Sequence, residues 1–130
     1  MSIIVIGLSL SFLLFLLAAG LTLIFGMLGV INFAHGALYM LGAFVGYQIV
    51  HMTGSFWLGL LFAPLIVACV GALIEILALK QVYDRDHIFQ LLLTFGFILV
   101  IDDATKMIWG FDYKQVPTPE IFMAPISMFG

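Results

Sequence analysis

Asn32 and His35 are the two strongly polar side chains of residues 26–36, within a long apolar stretch, and they are the first candidates for chemistry. They stand three residues apart, so they share a face if the segment is helical and cap neighbouring helices if it is unwound. Polar groups in apolar surroundings are costly, and they either satisfy backbone groups freed by a helix break or line a path for a solute. Both interpretations stay open at this point.

A second polar group consists of Asp102, Asp103 and Lys106. Lys106 follows Asp102 by four positions and Asp103 by three, the two spacings at which helical side chains pair. The spacing predicts an ion pair within this helix, near the interface on the outer side of the membrane. A contact with a substrate or another subunit is the alternative.

Signatures of catalysis, metal binding and nucleotide binding are missing from the sequence. It has no Gly-x-x-x-x-Gly-Lys-Ser/Thr loop, no Gly-x-Ser-x-Gly and no Cys-x-x-Cys, and its three histidines are far apart. We therefore expect a chain that is not an enzyme, with no metal site. Four basic residues against seven acidic ones form no cluster that could neutralise a phosphate backbone, so nucleic acid is excluded as a partner.

The elements that must position these residues follow from the composition. The chain is 65% hydrophobic and 8% charged, with a mean hydropathy of +1.28, and residues 1–74 contain no Asp, Glu, Lys or Arg. Because about 20 apolar residues cross a bilayer, this stretch alone has room for about three crossings. The sequence predicts an all-α, polytopic transmembrane helical bundle in a lipid bilayer.

About four helices are expected, and a glycine-rich break near residues 26–36 separates the first two. The predicted helices cover residues 4–28, 34–50, 56–79 and 88–109, with polar loops over 80–87 and 110–120. The second helix is short for a full crossing, so it either spans or re-enters. Lys80 and Arg85 make the loop over 80–87 the better cytoplasmic candidate by the positive-inside rule, whereas Lys106 and Lys114 favour the other end. If the loop is inside and all four helices span, the N-terminus is outside.

Small residues predict close contacts between helices. Gly42 and Gly46 form a Gly-x-x-x-Gly step, and Ala68 and Ala72 form a second four-residue step. Such faces let helix backbones approach closely in a membrane. We expect helices to pack at both steps.

Residues 20–43, GLTLIFGMLGVINFAHGALYMLGA, resemble the signature of the branched-chain amino acid ABC transporter permeases of the LivH type. A second block, QLLLTFGFIL over residues 90–99 followed by Ile108-Trp109-Gly110, is similar to another segment of that family. The resemblance covers nearly the whole chain but corresponds to the N-terminal portion, about the first half, of a usual member. The charged stretch over 102–106 departs from the family pattern.

The resemblance implies a permease subunit in the cytoplasmic membrane of a bacterium or archaeon, which imports branched-chain amino acids. Its implied partners are a second permease, two cytoplasmic ATPases and an extracytoplasmic binding protein. ATP and magnesium would bind the ATPases, so no cofactor is expected in this chain. By itself, the portion seen here is not expected to transport.

The resemblance also suggests roles for residues of the broken-helix region. Asn32, His35 and Thr94 would be its polar members along the substrate pathway. Four glycines would give the backbone its shape there: Gly26, Gly29, Gly36 and Gly96. A permease for urea or short-chain amides is the nearest alternative, and a small stand-alone channel or membrane scaffold protein is the alternative from another class.

Overall fold

A computed structural model describes residues 2–117 and 119–123, and every described element is helical. The elements are α1 (Ser2–Leu28), α2 (Ala34–Thr53), α3 (Phe56–Leu77), a 3₁₀ turn (Leu79–Val82), α4 (His87–Trp109) and the short α5 (Glu120–Met123). The predicted all-α class, with four main helices and a break after the first, is confirmed. Three segments within the described residues are long and apolar enough to cross a membrane: Ser2–Leu28, Phe56–Val82 and His87–Trp109.

The helix ends differ from the predicted ones by a few residues. α2 continues to Thr53, because the left-handed Gly54 ends it by donating its N–H to the Val50 carbonyl at 2.7 Å. α3 ends at Leu77, two residues early, and the chain tightens into the 3₁₀ turn within the predicted loop over 80–87. Residue 118 of the predicted loop over 110–120 lies outside the described residues, and α5 begins at Glu120.

α2 lies at the centre of the described bundle. It packs against α3 and α4 and touches α1 at a few positions, whereas α1 contains no buried residue. Of the four main helices, α2 is the one that is not apolar enough to be counted among the membrane-spanning segments. Its polar side chains, such as Gln48, are tolerated because neighbouring helices cover much of its surface in place of lipid.

The contact between α2 and α3 is a row of small residues on an antiparallel helix pair. The facing residues are Val50 with Gly59, Gly46 with Ala63, Gly42 with Val67, and Leu38 with Gly71. Every step along either helix is four residues, so one ridge of each helix meets the other over its whole length. The predicted contact at Gly42 and Gly46 lies in the middle of this row.

The α3 side of that contact corrects the prediction for Ala68 and Ala72. Both alanines are exposed in the described chain, and the residues that face α2 are Val67 and Gly71, one position earlier. One position rotates a side chain by roughly 100° around the helix axis. The α3 side of the contact with α2 thus keeps a four-residue period and lies one position before the predicted step.

α4 runs parallel to α2 and turns a polar face towards the interior. Its buried polar side chains are Gln90, Thr94 and Thr105, which are also the largest fully buried side chains of the described chain. Most exposed large side chains are Leu, Ile and Phe. Polar groups inside and apolar groups outside suit a protein surrounded by hydrocarbon.

Candidate functional site

The break between α1 and α2 is built by two local devices. Gly29 has φ +65° and donates its N–H to the Phe25 carbonyl at 2.8 Å, which ends α1 in the left-handed conformation that glycine tolerates best. The Asn32 Oδ1 then accepts a hydrogen bond from the Ala34 N–H at 3.0 Å, at the first residue of α2. The N-cap residue of α2 is Phe33, so Asn32 forms an Asx turn one position before the cap.

The Gln90 side chain connects this break to α4 and to the 3₁₀ turn. Its side chain is 2% exposed, its Oε1 accepts from the Ile31 N–H at 3.2 Å, and its Nε2 donates to the Val82 carbonyl at 3.3 Å. One amide therefore connects the break, 59 residues earlier in the chain, with the 3₁₀ turn, 8 residues earlier. Sequence reasoning missed this role, although a lone amide near the start of an apolar helix is a signal for a buried partner.

The contacts of Gln90 also show where the break lies. Gln90 is in the first turn of α4 and touches the polar segment between α3 and α4. The rings of Phe25 and His87 lie 6.4 Å apart at the same end of the bundle. The break is therefore a turn at one end of the helices, beside the loop over 80–87.

His35 lies just inside α2 and turns its ring towards α1. A Cβ placed on Gly20 would lie 2.8 Å from His35 Nε2, so the glycine leaves room for the imidazole. The same side chain lines a cavity of about 680 Å³ that opens along α2. The structure thus places the His35 side chain at the wall of this cavity.

The cavity walls are predominantly apolar and come from α1, α2 and α3. The polar side chains in its lining lie on α2, and they are His35, Tyr39 and Tyr47. Aliphatic and small residues supply most of the remainder, among them Leu13, Leu16, Ala63 and Val67. A mostly apolar wall with a few placed polar groups is the usual composition of a site for a small apolar ligand.

Thr94 and Asn32 do not share the cavity with His35. Thr94 is fully buried, and its hydroxyl donates to carbonyls of its own helix, to Gln90 at 2.8 Å and to Leu91 at 3.2 Å. Neither Thr94 nor Asn32 is among the residues that line the cavity. The three polar residues grouped by the resemblance thus occupy three different surroundings.

The glycines grouped with them also separate. Gly26, Gly36 and Gly96 lie inside helices, none has a positive φ, and a Cβ on any of them would meet no neighbour within 4 Å. Among the four, Gly29 alone has the conformation that requires glycine. This corrects the predicted role of the other three in shaping the backbone.

The charged group on α4 contains a close pair. Lys106 Nζ lies 2.6 Å from Asp102 Oδ2, and both side chains are more than a third exposed. Asp103 is exposed, and it lies roughly 100° around the helix axis from its neighbour Asp102. Nearby, Trp109 Nε1 donates to Gln48 Oε1 at 3.1 Å and ties the end of α4 to α2.

A second cavity, of about 350 Å³, adjoins the first at this end of the bundle. Gly110, with φ +81°, ends α4, and the segment after it passes over α2. Residues 111–114 and Val116 form one side of this cavity. Ala43, Tyr47 and Val116 line both cavities, so these residues lie at the boundary between the two spaces.

Comparison with known proteins places the chain in a family. Residues 3–127 match the family model described as branched-chain amino acid transport system / permease component. The chain belongs to this permease family. LivH, the high-affinity branched-chain amino acid transport system permease protein of Salmonella typhimurium and of Escherichia coli K12, is 30% identical over 116 residues, or 82% of the chain and 37% of the relative.

A third member of the permease family, BraD of Pseudomonas aeruginosa, is 26% identical over 114 residues, which cover 79% of the chain and 36% of BraD. The chain thus spans little more than a third of the length of the curated relatives it matches. No solved structure matches the chain. Family membership and the apolar helices identify a multi-pass membrane protein of a transport system.

Proposed function

We propose that this permease-family chain forms part of the subunit through which an ATP-binding cassette importer moves branched-chain amino acids across the cytoplasmic membrane. The cavity along α2 carries the proposal. Its aliphatic walls suit a leucine, isoleucine or valine side chain, and His35, Tyr39 and Tyr47 offer polar contacts along the way. LivH and BraD are named for the same substrates.

The proposed cycle uses this chain as one wall of a passage. A binding protein outside the membrane would deliver the amino acid, and a second permease subunit would complete the passage. Two ATPases in the cytoplasm would bind ATP and magnesium and would switch the side of the membrane to which the passage opens. A mostly apolar wall favours this cycle, because weak contacts along a path let the substrate leave again.

The experiment is uptake of labelled leucine by the full-length protein reconstituted with its two ATPases, its second permease and its binding protein. We expect leucine uptake only when ATP is supplied on the side of the vesicle membrane to which the ATPases are bound. Unlabelled isoleucine and valine should compete with leucine, while urea and acetamide should not.

The same measurement separates the alternatives. Uptake of urea or acetamide in preference to leucine would assign the protein to the amide branch. Leucine flux through the full-length protein without ATP would overturn the importer and favour a channel. A scaffold protein would give neither flux, although the partner subunits would still copurify with it.

A further inference from the structure

Two opposite charges line the smaller cavity, which adjoins the apolar one. Asp112 and Lys114 lie in the extended segment after α4, and both are exposed lining residues of this cavity. Lys114 Nζ lies 6.0 Å from the centre of the Tyr47 ring, which itself lines both cavities. Lys114 therefore lies beside a residue that lines both cavities, and Asp112 lies in the wall of the smaller one.

These two charges are available to a ligand. Neither Asp112 nor Lys114 has an oppositely charged partner within 4.0 Å in the part of the chain that the structure describes. The neighbouring cation, Lys106, is instead taken up by Asp102 at 2.6 Å. One residue, Tyr113, separates Asp112 from Lys114 in the chain, and both line the cavity of about 350 Å³ beside α2.

We propose that Asp112 and Lys114 form an entry site that recognises the zwitterionic backbone of an α-amino acid. The Asp112 carboxylate accepts hydrogen bonds from the ligand ammonium group, and the Lys114 ammonium group donates to the ligand carboxylate. The ligand side chain then points past Ala43 and Val116 into the apolar cavity. This site rests on the proposed function, and it adds the selection of amino acids over other small apolar solutes.

The chemistry explains why charge and apolarity meet at one place. An apolar cavity by itself selects the side chain and would admit an aliphatic amine or acid equally well. A pair of opposite charges at its mouth requires both ends of the zwitterion, because a ligand that lacks one of them leaves a charge without its partner.

The test uses the purified full-length permease complex in lipid nanodiscs without the binding protein. A diazirine analogue of leucine is photocrosslinked to the complex, and the labelled peptides are identified by mass spectrometry. We expect labelling within residues 43–47 or 111–116. Lys114→Gln and Asp112→Asn should each reduce the labelling about tenfold, the effect expected for loss of one charged hydrogen bond.

Competition by 3-methylbutylamine, which has the ammonium group and no carboxylate, assigns the two roles. Its potency should be unchanged in Lys114→Gln and should fall in Asp112→Asn. Lys80→Gln and Asp84→Asn, the matched changes in the loop at the other end of the bundle, should leave labelling and competition as in the wild type. All variants are assayed for basal ATPase activity to confirm assembly of the complex.

Labelling that is absent, that maps outside both segments, or that is equal in the wild type and the two variants would overturn the entry site. The proposed function is read separately, from leucine uptake by the wild-type system. Uptake with charge-independent labelling removes the entry site alone. Charge-dependent labelling without uptake removes the proposed transport and keeps the site.

Discussion

At the residue scale, Gln90 is the side chain on which the break depends most. It satisfies the Ile31 N–H and the Val82 carbonyl from a position that is 2% exposed. A buried N–H that loses its partner costs about 1–3 kcal/mol. The amide therefore stabilises the junction of three segments that are distant in sequence.

We expect Gln90→Leu to destabilise the full-length protein by about 1–3 kcal/mol, because leucine keeps the volume and removes both hydrogen bonds. The measurement is the midpoint of thermal unfolding in detergent. Gln81→Leu is the matched control, since Gln81 is exposed and bonds the Leu77 carbonyl of its own turn. Equal midpoints for the two variants would contradict the bridging role of Gln90.

Gly29 and Gly26 offer a second matched pair. Gly29→Ala forces a side chain into the left-handed region and should destabilise the protein by about 1–2 kcal/mol. Gly26→Ala adds a methyl group in open space on a helix and should be neutral or slightly stabilising. The same unfolding midpoints measure both changes, and a neutral Gly29→Ala would show that the break does not need this conformation.

His35 tests the proposed transport directly, because its side chain lines the cavity along α2. We expect His35→Ala to lower leucine uptake several-fold, because it removes a polar group from the cavity wall. Cys69→Ala is the control, since Cys69 is exposed on α3 and does not line the cavity. Membrane levels of both variants are measured by immunoblot, and equal uptake would remove His35 from the path.

At the scale of elements, the α2–α3 pair depends on a backbone approach that only small residues permit. The tightest point is Gly59, where an added Cβ would lie 2.5 Å from Val50 Cγ2 and 3.1 Å from the Gly46 carbonyl oxygen. The side chain of Val50 could move, but the backbone oxygen could not without shifting the helix.

Gly59→Ala should therefore destabilise the protein by about 1–3 kcal/mol, the usual cost of overpacking. Gly71→Ala, three four-residue steps along the same row from the tight point, places its Cβ at an ordinary 3.8 Å from Leu38 and should be tolerated. Unfolding midpoints compare the two variants. Adding Val50→Ala to Gly59→Ala should restore part of the stability, and a Gly59→Ala protein as stable as Gly71→Ala would refute the packing row.

At the scale of the whole molecule, the described chain has two chemically different ends. The break, the 3₁₀ turn and the first turn of α4 meet at one end, where Lys80 and Arg85 also lie. The smaller cavity and the segment after α4 lie at the other. We predict that the first end is cytoplasmic because Lys80 and Arg85 both flank one loop, whereas Lys106 and Lys114 lie on and after the last turn of α4.

This orientation predicts which side of the membrane each end reaches. In a Cys69→Ala background, Gln81→Cys should resist a membrane-impermeant maleimide in intact cells and react after permeabilisation. Tyr113→Cys, on the exposed segment after α4, should react in intact cells. The reverse pattern would invert the topology and would place the proposed entry site on the cytoplasmic side.

The sequence by itself determined the class of the protein, the number of main helices and the place of the break. These follow from properties that each segment carries alone: length, apolarity, and glycine beside polar residues. The spacing of Asp102 and Lys106 likewise needs nothing beyond one helix. The family could also be recognised from the sequence, because its signature is one contiguous stretch of residues.

Only the tertiary structure decided which residues share a site. The phase of the α3 packing row, the separation of His35 from Thr94, and the bridge from Gln90 to Ile31 all depend on how one helix is rotated and docked against another. In a nearly uniform apolar sequence, periodicity gives little information on that rotation, because almost every face of each helix can be buried or meet lipid.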